Sequence, residues 1–365
     1  MIVRRSTVCM LVGMLALAGG VGSAGTPQEE GPILTPKMPM VDCPGGCSAQ
    51  NKKSTEIPLS KLLATARAGN AEAQAKLGEK YLVGSKELPQ NFDAAFECFR
   101  KAAAQGNARG EWNLGGMYDY GRGAPKDPNK AILWYKKAAA QGNADAELSL
   151  GTKYESGEGV TQDNQTALEW YRKAALGGSE LAQTMLGSDY LNGFNVPADV
   201  SEAIKWFRMA AEQGDFYSEE MLGKIYRGGE NGAEQDGEQA RFWFHKAADR
   251  GDAEAQFNLG QMYDYGDGIE KDLKQAAYWY QKAADQGKAR AQTNLGVMYF
   301  EGDGVSKDRA TGYMWINLAA SNDDNARSNR EKMEKLMTSE EIAEGQRLTR
   351  EWLVAHPKPS KKQAQ

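Results

Sequence analysis

Few residues in this chain are of a type that does chemistry. Its 365 residues include two histidines, His245 and His356, and four cysteines, Cys9, Cys43, Cys47 and Cys98. A three-histidine zinc site needs three imidazoles. Two distant histidines do not supply them, and H-E-x-x-H is absent. Neither S-x-x-K nor G-x-S-x-G occurs, so the common serine-nucleophile signatures are missing. The Gly-x-Gly pairs Gly121/Gly123, Gly157/Gly159, Gly266/Gly268 and Gly302/Gly304 invite a phosphate-cradle reading. No strand pattern precedes them and they recur at a fixed interval, so turns are the expected role. No catalytic residue, metal ligand or cofactor is expected.

That interval organises the chain. Leu-Gly pairs fall at Leu77, Leu114, Leu150, Leu186, Leu222, Leu259 and Leu295, in steps of 36 or 37 residues. A fixed period of this size marks a repeat array. Both longer steps gain their residue in the connection after the Leu-Gly half, which marks a surface loop. Each unit reads as two helices. In the first, Ala, Leu and Tyr at i, i+4, i+8 (Ala146, Leu150, Tyr154) make one stripe. In the second, Ala131, Trp134, Tyr135, Ala138 and Ala139 share a face. Trp134, Trp170, Trp206, Trp243, Trp279 and Trp315 occupy one column, read as core. Cys98 takes that place in unit one and is read as a small buried hydrophobe. His245 aligns with polar residues and is read as a solvated helix-face position. A glycine inside a helix costs about 1 kcal/mol against Ala. The repeated Leu-Gly glycine therefore implies a neighbouring helix that comes close.

Punctuation agrees with two helices per unit. Asp127 before Pro128 suits an N-cap followed by Pro at the first helical position. Gly106, Gly142, Gly178, Gly214, Gly251 and Gly287 close the second helices. Asn107, Asn143, Ser179, Asp215 and Asp252 then cap the next first helices.

These residues resemble the Sel1-like repeat family, a relative of the tetratricopeptide repeats. The family pattern A-x-x-x-L-G-x-x-Y-x-x-G-x-G-V-x-x-D-x-x-x-A-x-x-W-x-x-K-A-A-x-x-G is met nearly in full from Ala291 to Ala320, with Gly312 replacing the Ala and Leu318 the Lys. The resemblance covers about residues 57–354. It implies an all-α, right-handed α-solenoid of seven helix-turn-helix repeats, with first helices lining a concave face. It also implies a non-enzymatic protein–protein interaction scaffold. Cysteine-rich members of the family are linked to β-lactam binding or hydrolysis and carry a Cys pair in every repeat, which this chain lacks. By that analogy alone, a hydrolase or binder of cell-wall-type substrates is the alternative.

Outside the array, residues 1–24 read as a secretory signal: Arg4 and Arg5, an apolar run from Val8 to Val21, then Gly22-Ser23-Ala24. The run is shorter than the ~20 residues that span a bilayer. Export to the periplasm or beyond is expected, with no transmembrane segment in the mature chain. Residues 25–56 hold five of the twelve prolines and read as a flexible arm, in which Cys43 and Cys47 could pair. Residues 57–69 read as a capping helix, 70–321 as the seven repeats, 322–355 as two terminal helices and 356–365 as a tail. Thr338 and Glu341 are spaced as a capping box. The net charge is −5 with charges interspersed, so no nucleic-acid footprint is read.

A binding site is expected where units differ. Beside the fixed Leu, Gly and Tyr, units two and six present an aromatic, an Asn and a Met: Trp112, Asn113, Met117 and Phe257, Asn258, Met262. Asn294 and Met298 continue the pattern in unit seven. On an exposed concave face these side chains would suit capture of a protein or peptide. The other reading is that Trp112 and Phe257 pack between neighbouring units, and solvent exposure separates the two.

Overall fold

The computed structural model describes residues 57–229, 234–321 and 323–357. The expected signal, arm and tail fall outside them, apart from His356 and Pro357. Among the described residues every regular element is a helix. Helix α1 spans Leu59–Arg67. Seven pairs follow: α2 Ala71–Val83 and α3 Phe92–Ala104, α4 Ala108–Tyr120 and α5 Pro128–Ala139, α6 Ala144–Ser156 and α7 Asn164–Leu176. Next come α8 Glu180–Asn192 and α9 Val200–Gln213, α10 Phe216–Gly228 and α11 Gly237–Asp249. The array ends with α12 Ala253–Tyr265 and α13 Leu273–Asp285, α14 Ala289–Glu301 and α15 Arg309–Ala319. Terminal helices α16 Asp324–Glu334 and α17 Ser339–Ala355 close the chain. Within the array each helix packs chiefly on the one before and the one after, which is the contact pattern of an α-solenoid, whereas α17 packs on α15 rather than on α16.

Local chemistry fixes the ends. The side chains of Asn107, Asn143, Ser179, Asp215 and Asp252 accept from the third backbone N–H of α4, α6, α8, α10 and α12. Asp127 does the same for α5 with Pro128 beside it. Lys288, before α14, makes no side-chain cap. Thr338 and Glu341 form the reciprocal capping box of α17. In the unit-two loop Gly121 and Gly123 sit at φ 66° and 68°, the left-handed region glycine tolerates. A Cβ on Gly123 would also lie 2.5 Å from the Phe92 carbonyl of unit one, so the turn doubles as an inter-repeat contact. In unit four Asn195 stands at the corresponding place with φ 56°.

In units one to six the Leu-Gly glycine meets an aromatic ring of its own unit, and in unit seven Gly296 meets Ile316. A Cβ on Gly78 would sit 2.6 Å from Phe99, one on Gly115 2.7 Å from Tyr135 and one on Gly187 2.7 Å from Phe207. These rings belong to the column immediately after the tryptophans. Phe99, Tyr171, Phe207, Phe244 and Tyr280 are among the largest fully buried side chains. The tryptophan column itself divides: Trp243, Trp279 and Trp315 are buried, whereas Trp134, Trp170 and Trp206 are half-buried. The core reading of that column is thus corrected for three units. On an amphipathic helix one position in the apolar stripe points into the pair, and its neighbour lies at the rim. Cys98, at the same rim, is half-buried against the Leu62–Leu77 cluster, and burial raises its thiol pKa.

Candidate functional site

The residues expected to form a binding face take their places from the first helices. Numbered from the N-cap, Trp112 and Phe257 are at position five, Asn113, Asn258 and Asn294 at six, and Met117, Met262 and Met298 at ten. Position ten points at the preceding unit. Met117 joins Ala95 and Phe99 of unit one, Met262 joins Ala240 and Phe244 of unit five, and Met298 joins Ala276 and Tyr280 of unit six. Position five points the other way. Phe257 packs in the cluster that holds Leu295 of unit seven, and the Trp112 indole donates to Ser149 Oγ of unit three at 3.2 Å.

The exposure expected of these residues is therefore corrected. Met117, Phe257, Asn258, Met262 and Met298 are buried, the last at 5 % exposure. Trp112, Asn113 and Asn294 are half-buried. Asn113 donates to Glu79 Oε1 at 3.3 Å, and Asn294 is hydrogen-bonded to the Tyr280 hydroxyl. The reason is geometric. A helix sandwiched between two repeats buries both flanks, so side chains beside the fixed stripe meet neighbours before they meet solvent. The packing reading of Trp112 and Phe257 is the one observed.

Solvent is met at positions two, nine and thirteen, and in part at position six, where unit six has buried Asn258. Position two reads Glu72, Arg109, Asp145, Leu181, Tyr217, Glu254, Arg290. Only units four and five place large apolar groups there, with Leu181 40 % and Tyr217 38 % exposed. Their position-six residues, Met185 and Met221, are half-buried and apolar, where the other units carry Lys76, Asn113, Ser149, Asn258 and Asn294. Equivalent positions touch across neighbouring units: Arg109 pairs with Glu79 and lies 3.6 Å from Glu72. Leu181 and Tyr217 thus hold equivalent exposed places in adjacent units, with half-buried Met185 and Met221 one turn further along the same helices. The signal that finds them is a polar column turning apolar in two adjacent units.

Polar side chains pair across the joint between units two and three. Lys153 is buried and binds Asp119 of the preceding unit and Glu158 Oε2, the latter at 2.7 Å. Tyr135 donates to the other Asp119 oxygen at 3.2 Å. Hydrogen bonds from Lys126 and Lys153 hold the Glu158 pKa down at about 2. One repeat later the same two positions hold Glu155 and Asp189. Burial, aided by the nearby Glu155 charge and opposed by a hydrogen bond from Asn195, pushes the Asp189 pKa up to about 6. His245 keeps its side chain 43 % exposed, with Nδ1 3.0 Å from Asp249 and its ring edge against Trp279. Among the described residues no group of three or more His, Cys, Asp or Glu is placed to hold a metal ion. No described helix is long and apolar enough to cross a membrane.

Comparison with known proteins agrees with the repeat geometry. The family model of the Sel1 repeat matches residues 71–107, 108–143, 144–179, 181–215, 217–252, 253–288 and 289–324. A solved structure of c5321, a protective antigen of uropathogenic Escherichia coli displaying an SLR fold, is 34 % identical with TM-score 0.63. The match covers 81 % of this chain and 63 % of the antigen, so the chain spans just under two thirds of that protein. A Sel1 repeat protein from Oxalobacter formigenes is also 34 % identical, with TM-score 0.51, over 60 % of this chain and 89 % of that one. The DAP3-binding cell death enhancer 1 of Rattus norvegicus is 30 % identical over 90 residues, 25 % of this chain and 17 % of that protein.

Proposed function

We propose, from the premise that this chain belongs to the Sel1 repeat family, that it is a scaffold holding a protein or peptide on the first-helix face of units four and five. Sel1 repeat proteins are generally protein–protein interaction scaffolds, and the all-α solenoid is the framework for that role. One observation carries the site: exposed Leu181 and Tyr217 occupy a column that is charged in every other unit. Exposed large apolar side chains grouped in one place mark interaction surfaces on soluble proteins. Aromatic and methionine groups are favoured at the centres of such contacts. The signal-like pattern of residues 1–24 supports action in the periplasm or cell envelope.

Crosslinking from a photoreactive residue at position 185 or 221 in intact cells, followed by identification of the captured protein, tests the site. Leu181→Asp with Tyr217→Asp is expected to abolish capture while leaving melting within about 0.5 kcal/mol, the usual effect of a surface change. A variant that folds and still captures the same protein overturns the placement. Turnover of a β-lactam by the pure protein, abolished by a single polar substitution, favours the hydrolase instead. Retention of residues 1–24 in the mass of the cellular protein overturns the proposed export.

A further inference from the structure

The second helices carry a charge asymmetry that the first-helix surface does not use. In units one to three their C-terminal halves read F-R-K-A-A-A-Q, Y-K-K-A-A-A-Q and Y-R-K-A-A-L-G. These hold six cations, Arg100, Lys101, Lys136, Lys137, Arg172 and Lys173, and no carboxylate. In units four to six a carboxylate enters at one fixed place, as Glu212, Asp249 and Asp285, and unit seven has Ser321 there. Two of them are engaged: Asp249 with His245 at 3.0 Å and Asp285 with the Gln281 amide at 2.8 Å. A chain of net charge −5 thus gathers six cations on the C-terminal halves of three consecutive second helices, with Glu111 and Glu147 of the first helices near Lys137 and Lys173.

Most of these cations are held by neighbours. Lys137 Nζ lies 4.1 Å from the Trp134 ring centre and Lys173 Nζ 4.2 Å from that of Trp170. Lys136 lies over Tyr154 of the next unit, and Arg172 donates to the Tyr190 hydroxyl at 2.9 Å. Arg100 pairs with Glu97 at 2.7 Å. All but Arg172 are exposed. A cation resting on a ring gives up less side-chain freedom when an anion arrives. Beside them Leu133 and Leu176, on the same helices, are 62 % and 73 % exposed.

We propose that the second-helix face of units one to three binds an acidic polypeptide segment that also carries large apolar side chains. Charge complementarity sets the sign of the partner. The exposed leucines choose between polymers, since a peptide offers aliphatic partners and a phosphate backbone does not. Glu97 and Glu169, one turn upstream of the cations, suit spaced carboxylates better than an evenly charged phosphate chain. This face is distinct from the patch of units four and five and stands whether or not that patch binds.

The probe is a fluorescein-labelled peptide of repeating Glu-Leu-Asp-Glu units, about 16 residues long, read by anisotropy with the full chain. Binding is expected at about 50 mM salt and at least about tenfold weaker at about 300 mM, as screening requires. Replacing its leucines with serine should weaken it further, by roughly fivefold. Lys101→Gln with Lys137→Gln and Lys173→Gln should weaken binding at least about tenfold, whereas Lys246→Gln with Lys282→Gln should stay within about twofold. Arg100→Gln with Lys136→Gln leaves the covers of Trp134 and Trp170 in place and should show a similar loss, which separates charge from folding. Tyr217→Asp should leave peptide binding unchanged. The proposal is overturned by absence of binding at low salt or by equal loss in the two lysine sets. Tighter binding of oligo-dT, or of phosphatidylglycerol vesicles, overturns it in favour of another polymer or a membrane surface.

Discussion

Gly115 and Gly116 are adjacent in α4 and meet opposite surroundings. A Cβ on Gly115 would press into the Tyr135 ring at 2.7 Å, while one on Gly116 would find nothing closer than the Tyr135 hydroxyl at 3.9 Å. Gly116→Ala should stabilise by about 0.5–1 kcal/mol, through helix propensity and a stiffer unfolded chain. Gly115→Ala should destabilise by about 1–3 kcal/mol, through overpacking. Thermal melting of the two variants checks the opposite signs. A second residue-scale case is position four of the first helices. Gln183, Gln256 and Gln292 each donate to a carbonyl of the preceding second helix, at 2.9, 3.1 and 3.1 Å. Glu147 takes that place in unit three without an amide to donate, and burial raises its pKa. With the folded pKa above the unfolded one, the cost is absent at low pH, where both states are protonated. It appears as pH rises from the unfolded pKa through the folded pKa and is full at neutral pH. Glu147→Gln should therefore raise stability at pH 7 by about 0.5–1.5 kcal/mol, the usual worth of a hydrogen bond, and by less near pH 3. Urea unfolding at both pH values measures it, and an equal gain at both would rule out the titration argument.

At the scale of elements, each repeat interface is a choice between apolar and polar pairing. The joint between units one and two brings Leu82, Phe99 and Met117 into one cluster. The next joint uses Asp119, Tyr135 and Lys153 at the same positions. The chain couples these choices: a buried Tyr occurs where the first helix ends in Asp119, Glu155 or Asp264, and a Phe occurs beside Leu82 and Leu191. Lys153→Met alone should cost about 3–5 kcal/mol, because Asp119 is left as a buried charge without its partner. The triple change Asp119→Leu, Tyr135→Phe, Lys153→Met copies the first joint and should return stability to within about 1 kcal/mol of the parent. A triple variant no more stable than Lys153→Met would show that the two joints differ in more than side-chain pairing.

At the scale of the whole molecule, contacts within the repeat array run mainly between consecutive helices and so stability is local. Phe207→Ala removes a fully buried ring and should cost about 3–5 kcal/mol. Trp206→Ala, at the half-buried rim of the same helix, should cost less. Hydrogen exchange of Phe207→Ala should accelerate most in α8, α9 and α10 while α2, α3 and α15 keep their protection. Uniform acceleration along the chain would instead indicate a single cooperative unit.

The sequence alone determined the repeat: the Leu-Gly period, the capping residues, the closing glycines and the two-helix unit are local or periodic features, and each is written in one stretch of chain. It also required a close helix at the Leu-Gly glycine, since nothing local offsets the helix cost of Gly78 or Gly187. Tertiary structure decided what faces solvent. Met117, Met262 and Phe257 are variable between units, and variability pointed to a surface. They are nevertheless buried, because residues of the preceding and following repeats cover both flanks of each first helix. The polar column that turns apolar at Leu181 and Tyr217 is legible in the sequence, and Lys137 and Lys173 rest on Trp134 and Trp170 three residues earlier in the same helix, but the division of the tryptophan column arises in the same way. Burial at those positions belongs to the packing of one repeat on the next, which a helical stripe read within a single repeat does not contain.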